Sequence, residues 1–134
     1  MMNVREFAQR VLLADSLEDK LEFVDVEKLT DDERGNAIEA LVEPGRPLDL
    51  RMRLKGGEHS LAKPNISEVS NDEERGRLLH FFANHELLAT ELMALVLLKF
   101  PNAPSEFRRG VLKTLKEEQR HTRWYIERMK ECGV

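Results

Sequence analysis

The stretch FFANHELLATELMALVLLKFPNAPSEFRRGVLKTLKEEQRH, residues 81–121, decides the fold. Ser70 followed by Glu73 makes a capping-box pattern, and no proline follows until Pro101, so the sequence predicts one long helix over residues 71–100. Pro101, Asn102 and Pro104 break it, with Asn102 or Ser105 placed to cap the next helix. This second long helix is expected over 105–132, ended by Gly133. Two long helices joined by so short a loop run antiparallel as neighbours.

The hairpin then sets three chemistry-bearing residues against one another. At about 100° per residue, Glu86 shares a face with Leu79, Phe82, Ala83, Met93, Leu97 and Phe100. Glu118 and His121, three residues apart, share a face with Val111, Leu115, Thr122 and Tyr125 on the second helix. Glu86 lies sixteen residues before Asn102 and Glu118 sixteen after it, so an antiparallel hairpin holds them at one level. Glu91 is only eleven residues before Asn102 and about 140° around the helix, which sets it aside. Neither inward face carries Arg or Lys, and buried carboxylates without a compensating cation cost several kcal/mol, so a divalent metal is expected at Glu86, Glu118 and His121. The metal-free alternative has Glu86 accepting from a protonated His121 while Glu118 leans to solvent.

Outward from the hairpin, Val4, Phe7, Ala8, Val11 and Leu12 recur at helical spacing and predict a short N-terminal helix. Ser16 with Asp19 and Thr30 with Glu33 are further helix-start patterns, which predict one or two more short helices over 17–43 before Pro44 and Gly45. Residues 44–70 change texture, with Pro44, Pro47, Pro64 and the pair Gly56 and Gly57, and are read as an extended arm containing the alternating LDLRMRL of 48–54. The 134 residues are thus expected to form one all-α domain: short helices over 1–43, the arm over 44–70, and the hairpin of 71–100 and 105–132.

Composition narrows the class of function. With 25 acidic and 21 basic residues the net charge is −4, which gives no bulk attraction to nucleic acid or an anionic membrane. Lys113, Lys116, Arg120, Arg123 and Arg128 are interspersed with Glu106, Glu117 and Glu127 and read as a solvated charged face. The lone Cys132 excludes an internal disulfide framework and suits a reducing cytoplasm. No secretory signal is visible at the N-terminus, and the apolar run Leu87–Phe100 contains Glu91 and Lys99, so a bundle-core helix is expected rather than a membrane span. Of the other histidines, His80 and His85 point away from Glu86, and His59 falls in the arm.

REFAQRVLLADSLEDKL at 5–21, NHELLA at 84–89, KFPNAPSEF at 99–107 and KEEQRH at 116–121 together resemble an uncharacterised bacterial ferritin-like family, of the superfamily that holds di-iron or di-manganese carboxylate sites in four-helix bundles. The resemblance implies Glu86 as a terminal ligand, Glu118 as a bridging carboxylate and His121 as the imidazole ligand of two iron or manganese ions. It also implies an oxygen- or peroxide-dependent oxidoreductase of unspecified substrate. No second Glu-x-x-His occurs in the chain, so either half a bundle is missing or two copies form a homodimer that shares the metal site. The competing expectation is a non-catalytic helical assembly module whose acidic site is empty or structural.

Overall fold

The computed structural model describes residues 2–38, 44–46 and 71–133. Helix α1 spans Val4–Leu13 and α2 is the single turn Leu17–Lys20, followed by a 3-10 turn at Val26–Lys28. The two long helices are α3, Asp72–Lys99, and α4, Ser105–Glu131. Among the described residues there is no strand, and one isolated bridge pairs Asn3 with Thr30. The fold is all-α, as the periodicity predicts. The arm expected over 44–70 lies outside the described residues except for 44–46.

Helix α1 forms because its apolar spacing makes one stripe and because Asn3 caps it, the side chain accepting from Glu6 N–H at 2.8 Å. Val4, Phe7, Ala8, Val11 and Leu12 are all buried and meet Ala94, Leu97 and Leu98 of α3 and Leu112 and Leu115 of α4. Each large apolar side chain sealed there contributes about 1.5–3 kcal/mol. Ser16 caps α2 by accepting from Asp19 N–H, as its pattern predicts. Asn71 caps α3 by accepting from Glu73 N–H.

The turn between the long helices is held by arginines. Arg108, buried on α4, donates to Leu97 O at 2.8 Å and Phe100 O at 3.0 Å, two carbonyls that the end of α3 leaves without helical donors. Its other edge makes a two-pronged pair with Asp31 at 2.7 and 2.9 Å. Arg34 donates to Pro101 O, Ala103 O and Ser105 Oγ. Neither Asn102 nor Ser105 caps α4; Pro104 occupies the cap position without a side-chain hydrogen bond.

These pairs explain a departure from the sequence pattern. The helix expected from Thr30 is not formed over 30–38. Instead Val4 N–H donates to Thr30 O at 2.9 Å, and Asp31 and Arg34 are drawn onto the hairpin turn. Tertiary hydrogen bonds outweigh a capping pattern worth about 1 kcal/mol. The part of that expectation covering 39–43 lies outside the described residues.

By length and composition alone α3 could cross a bilayer, more so than the Leu87–Phe100 run suggests. Two of its flanks are nonetheless occupied by α1 and α4, and the remaining side exposes Phe81, Leu88 and Leu92.

Candidate metal centre

Midway along the hairpin, the structure brings Glu86 of α3 together with Glu118 and His121 of α4. Each offers one ligand atom, and these atoms lie within 4.8 Å of one another. His121 Nδ1 is 3.8 Å from Glu86 Oε2 and 3.7 Å from Glu118 Oε2. All three side chains are partly buried, and His121, 41 % exposed, forms the outer edge. The equal spacing of the two glutamates from the turn produces this meeting.

The hydrogen bonding within the cluster is incomplete. Glu118 Oε2 is sealed from solvent and has no hydrogen-bond partner among the described residues. The distances to His121 exceed those of a hydrogen bond, so a protonated imidazole does not satisfy the carboxylate in this geometry. The nearby threonines do not help. Thr90 Oγ1 donates to Glu86 O and Thr122 Oγ1 to Glu118 O, each at 2.8 Å, committing both hydroxyls to their own helices. A sealed acceptor without a donor costs about 1–3 kcal/mol, and a cation among the three side chains would remove that cost.

Aromatic rings border the cluster. Phe82, one turn before Glu86, packs on Tyr125, one turn after His121, with ring centroids 5.7 Å apart. Trp124 lies 6.0 Å from the His121 ring. His85 is exposed and packs on Phe81 at 4.5 Å, and His80 is outside the cluster, as the helical wheel predicts. His59 lies outside the described residues.

Glu91 has a role that the sequence did not disclose. It is 1 % exposed and holds two cations. Lys20 Nζ lies 2.9 Å from Glu91 Oε2, and the Arg46 guanidinium engages both carboxylate oxygens and also donates to Asn84 Oδ1. Lys20 Nζ further donates to Val11 O at 2.7 Å and Leu12 O at 3.0 Å, closing the C-terminal end of α1 where a positive charge is favoured. Gln119 of α4 donates to Lys20 O at 2.8 Å, so one lysine ties α1, α3 and α4 together. Burial is the largest influence on the Lys20 ammonium and lowers its pKa below the usual 10.5 despite the hydrogen bond it donates to Glu91. Arg46 reaches the cluster because Gly45 passes directly over α1: a Cβ there would lie 2.0 Å from Leu13 O. The only sequence signal was a charge inside an otherwise apolar run.

A larger concavity of about 750 Å³ lies at the hairpin turn, lined by Val96, Phe100, Pro101 and Phe107 with Lys99 at its edge. It contains none of the three clustered residues and no acid or histidine.

An all-α hairpin with a Glu opposite a Glu-x-x-His is the class of arrangement from which carboxylate metal sites are built. The chain belongs to the family described as "Protein of unknown function (DUF455)", whose model matches residues 4–134. No curated protein and no solved structure matches it.

Proposed function

We propose that the hairpin supplies half of a ferritin-like dinuclear iron or manganese site, and that the protein is an oxygen- or peroxide-dependent oxidoreductase. The observation that carries this reading is the sealed Glu118 Oε2, without a hydrogen-bond partner among the described residues, facing Glu86 and His121. Two ligand atoms each about 2.0–2.2 Å from one ion lie at most about 4.4 Å apart, and the separations of 3.7 and 3.8 Å fall inside that limit. Two carboxylates and one imidazole are donors that suit iron or manganese. When bound, the metal pair supplies the activation of dioxygen or peroxide.

The residues divide the remaining work. Glu118, inside the cluster, would be a ligand shared by the ions, and Glu86 on the opposite helix would hold one of them. His121 faces the carboxylates through Nδ1, so its proton belongs on Nε2 when it acts as a ligand. Phe82 and Tyr125 border one end of the site.

A full site of this type needs a second Glu and a second Glu-x-x-His. We assign these to a second copy of the chain related by a twofold axis near the metals. The exposed Phe82 and Trp124 beside the site are the apolar surface such pairing would cover. The test is elemental analysis after purification without chelator, combined with light scattering across a tenfold dilution. Two iron or manganese ions per dimer, with a dimer that loosens on chelation, support the reading. A stable dimer without metal transfers it to the non-catalytic assembly module, and a folded monomer that retains two ions ends the shared-site assignment.

A further inference from the structure

We propose that Lys116, Arg120 and Arg123 of α4, together with Phe23, form a binding site for a single strand of nucleic acid, on a face separate from the metal cluster. These three cations surround a small cavity of about 80 Å³ whose apolar lining is Leu21, Phe23 and Val24. No carboxylate lines it. Neither Arg120 nor Arg123 forms an ion pair or hydrogen bond with a described residue, and Lys116 has only its contact with the Phe23 ring, 5.0 Å from the centroid. Of the acids in the preceding segment, Asp19 and Glu22 both pair with Arg10. Positive charge is therefore concentrated here on a chain whose net charge is −4, a figure that averages over the whole surface.

The pattern on α4 is linear. Lys113, Lys116, Arg120 and Arg123 recur at three- and four-residue intervals along about 15 Å of helix. A row of cations of that length matches successive phosphates better than one isolated anion. Phe23 supplies the second requirement. Its ring is 68 % exposed, one side is met by the Lys116 ammonium, and a large apolar side chain left open beside unpaired cations is the surface on which a base stacks. Cations that track a backbone and an aromatic that receives a base are the two components of sequence-tolerant single-strand binding.

Fluorescence anisotropy with labelled 12-nucleotide oligo(U) and oligo(dT), in the presence of chelator, separates this proposal from the metal reading. We expect binding at 50 mM salt that weakens about twentyfold at 200 mM, the slope for three cations on a single strand. Phe23→Ala should weaken it about tenfold, and Lys116→Gln with Arg120→Gln and Arg123→Gln should abolish it. Arg77→Gln, an exposed cation paired with Glu73 and Glu74 on α3, should change nothing. Circular dichroism confirms that the surface variants stay folded. Absence of binding to either oligonucleotide at 20 mM salt overturns the proposal, as does binding that the Phe23 and triple variants leave intact. Equal affinity for a duplex overturns the stacking role, and equal affinity for a mononucleotide overturns the assignment to a strand.

Discussion

Replacing Glu118 by Gln should make the metal-free protein more stable while removing its response to metal. The carboxylate has one oxygen sealed from water without a donor among the described residues, and it sits within 4.8 Å of a second carboxylate, that of Glu86. Glutamine keeps the shape, removes the charge and offers an N–H₂ that can donate to Glu86. An orphaned acceptor costs about 1–3 kcal/mol. The low end applies, because 21 % of the Glu118 side chain remains in contact with solvent. For a chain of 134 residues, an unfolding entropy of about 2.1 cal/mol/K per residue converts 1 kcal/mol into a rise in Tm of about 3–4 °C. The wild type should instead gain about 2.7 kcal/mol, or about 10 °C, from metal at a hundredfold excess over Kd. Differential scanning calorimetry at one protein concentration, with chelator and with Fe(II) or Mn(II), measures both. A metal-free Glu118→Gln protein that melts several degrees below wild type would mean that the carboxylate has a protein partner, and the metal reading would lose its main support. A variant that keeps the full metal-induced shift would exclude Glu118 as a ligand.

Glu91 should behave in the opposite way. Glu91→Ala leaves Lys20 and Arg46 as buried cations without their carboxylate, which costs about 3–5 kcal/mol by urea unfolding, while metal stoichiometry per folded molecule stays at the wild-type value; a loss of metal without a loss of stability would reverse the roles assigned to Glu86 and Glu91. Because burial lowers the Lys20 pKa, the unfolded chain binds more protons than the native one between that lowered value and 10.5, so stability should rise with pH across this window. Lys20→Met should lack that increment in pH-dependent urea melts, and an equal slope in both proteins would contradict the assignment. Trp124 is the chain's one tryptophan and lies beside His121, so binding of paramagnetic Mn(II) should quench its fluorescence. Glu118→Gln should remove the quenching, and a titration that leaves emission unchanged in wild type would place any bound ion elsewhere.

The features legible in the sequence are those that depend on local spacing. The first long helix comes from the proline-free run between the Ser70–Glu73 pattern and Pro101, although Asn71 is the residue that caps it, and the meeting of Glu86 with Glu118 and His121 comes from counting residues on either side of the turn. The features that were not legible depend on pairings distant in the chain. Lys20 and Glu91 are separated by 71 residues, and Asp31 and Arg108 by 77, so nothing local to either partner names the other. Arg108, which no local pattern singles out, is the buried clasp on the end of α3. Thr30 and Glu33 offered a good capping pattern, but Asp31 and Arg34 between and beside them were needed at the hairpin turn.

Two glutamates five residues apart on α3, and a third facing the first of them from α4, have been treated differently by the same fold. Glu91 is almost fully buried, and the chain brings a lysine and an arginine from its N-terminal half to meet it, with every donor on Lys20 directed to an oxygen. The protein therefore has the means to neutralise a buried carboxylate with its own cations, and 21 lysines and arginines from which to draw. At Glu86 and Glu118 no such cation arrives from the described residues: the side chains there are threonines turned to their own backbones, aromatic rings and a histidine beyond hydrogen-bonding distance. A purely structural use of these glutamates gives no reason for that difference, since an apolar pair at the same positions would pack without the cost of desolvation. A site that must leave room for an external cation requires it, because a resident lysine or arginine would compete with the metal for the same oxygens. The contrast between Glu91 and Glu118 within one hairpin thus favours the metal reading beyond what the Glu-x-x-His spacing offers alone.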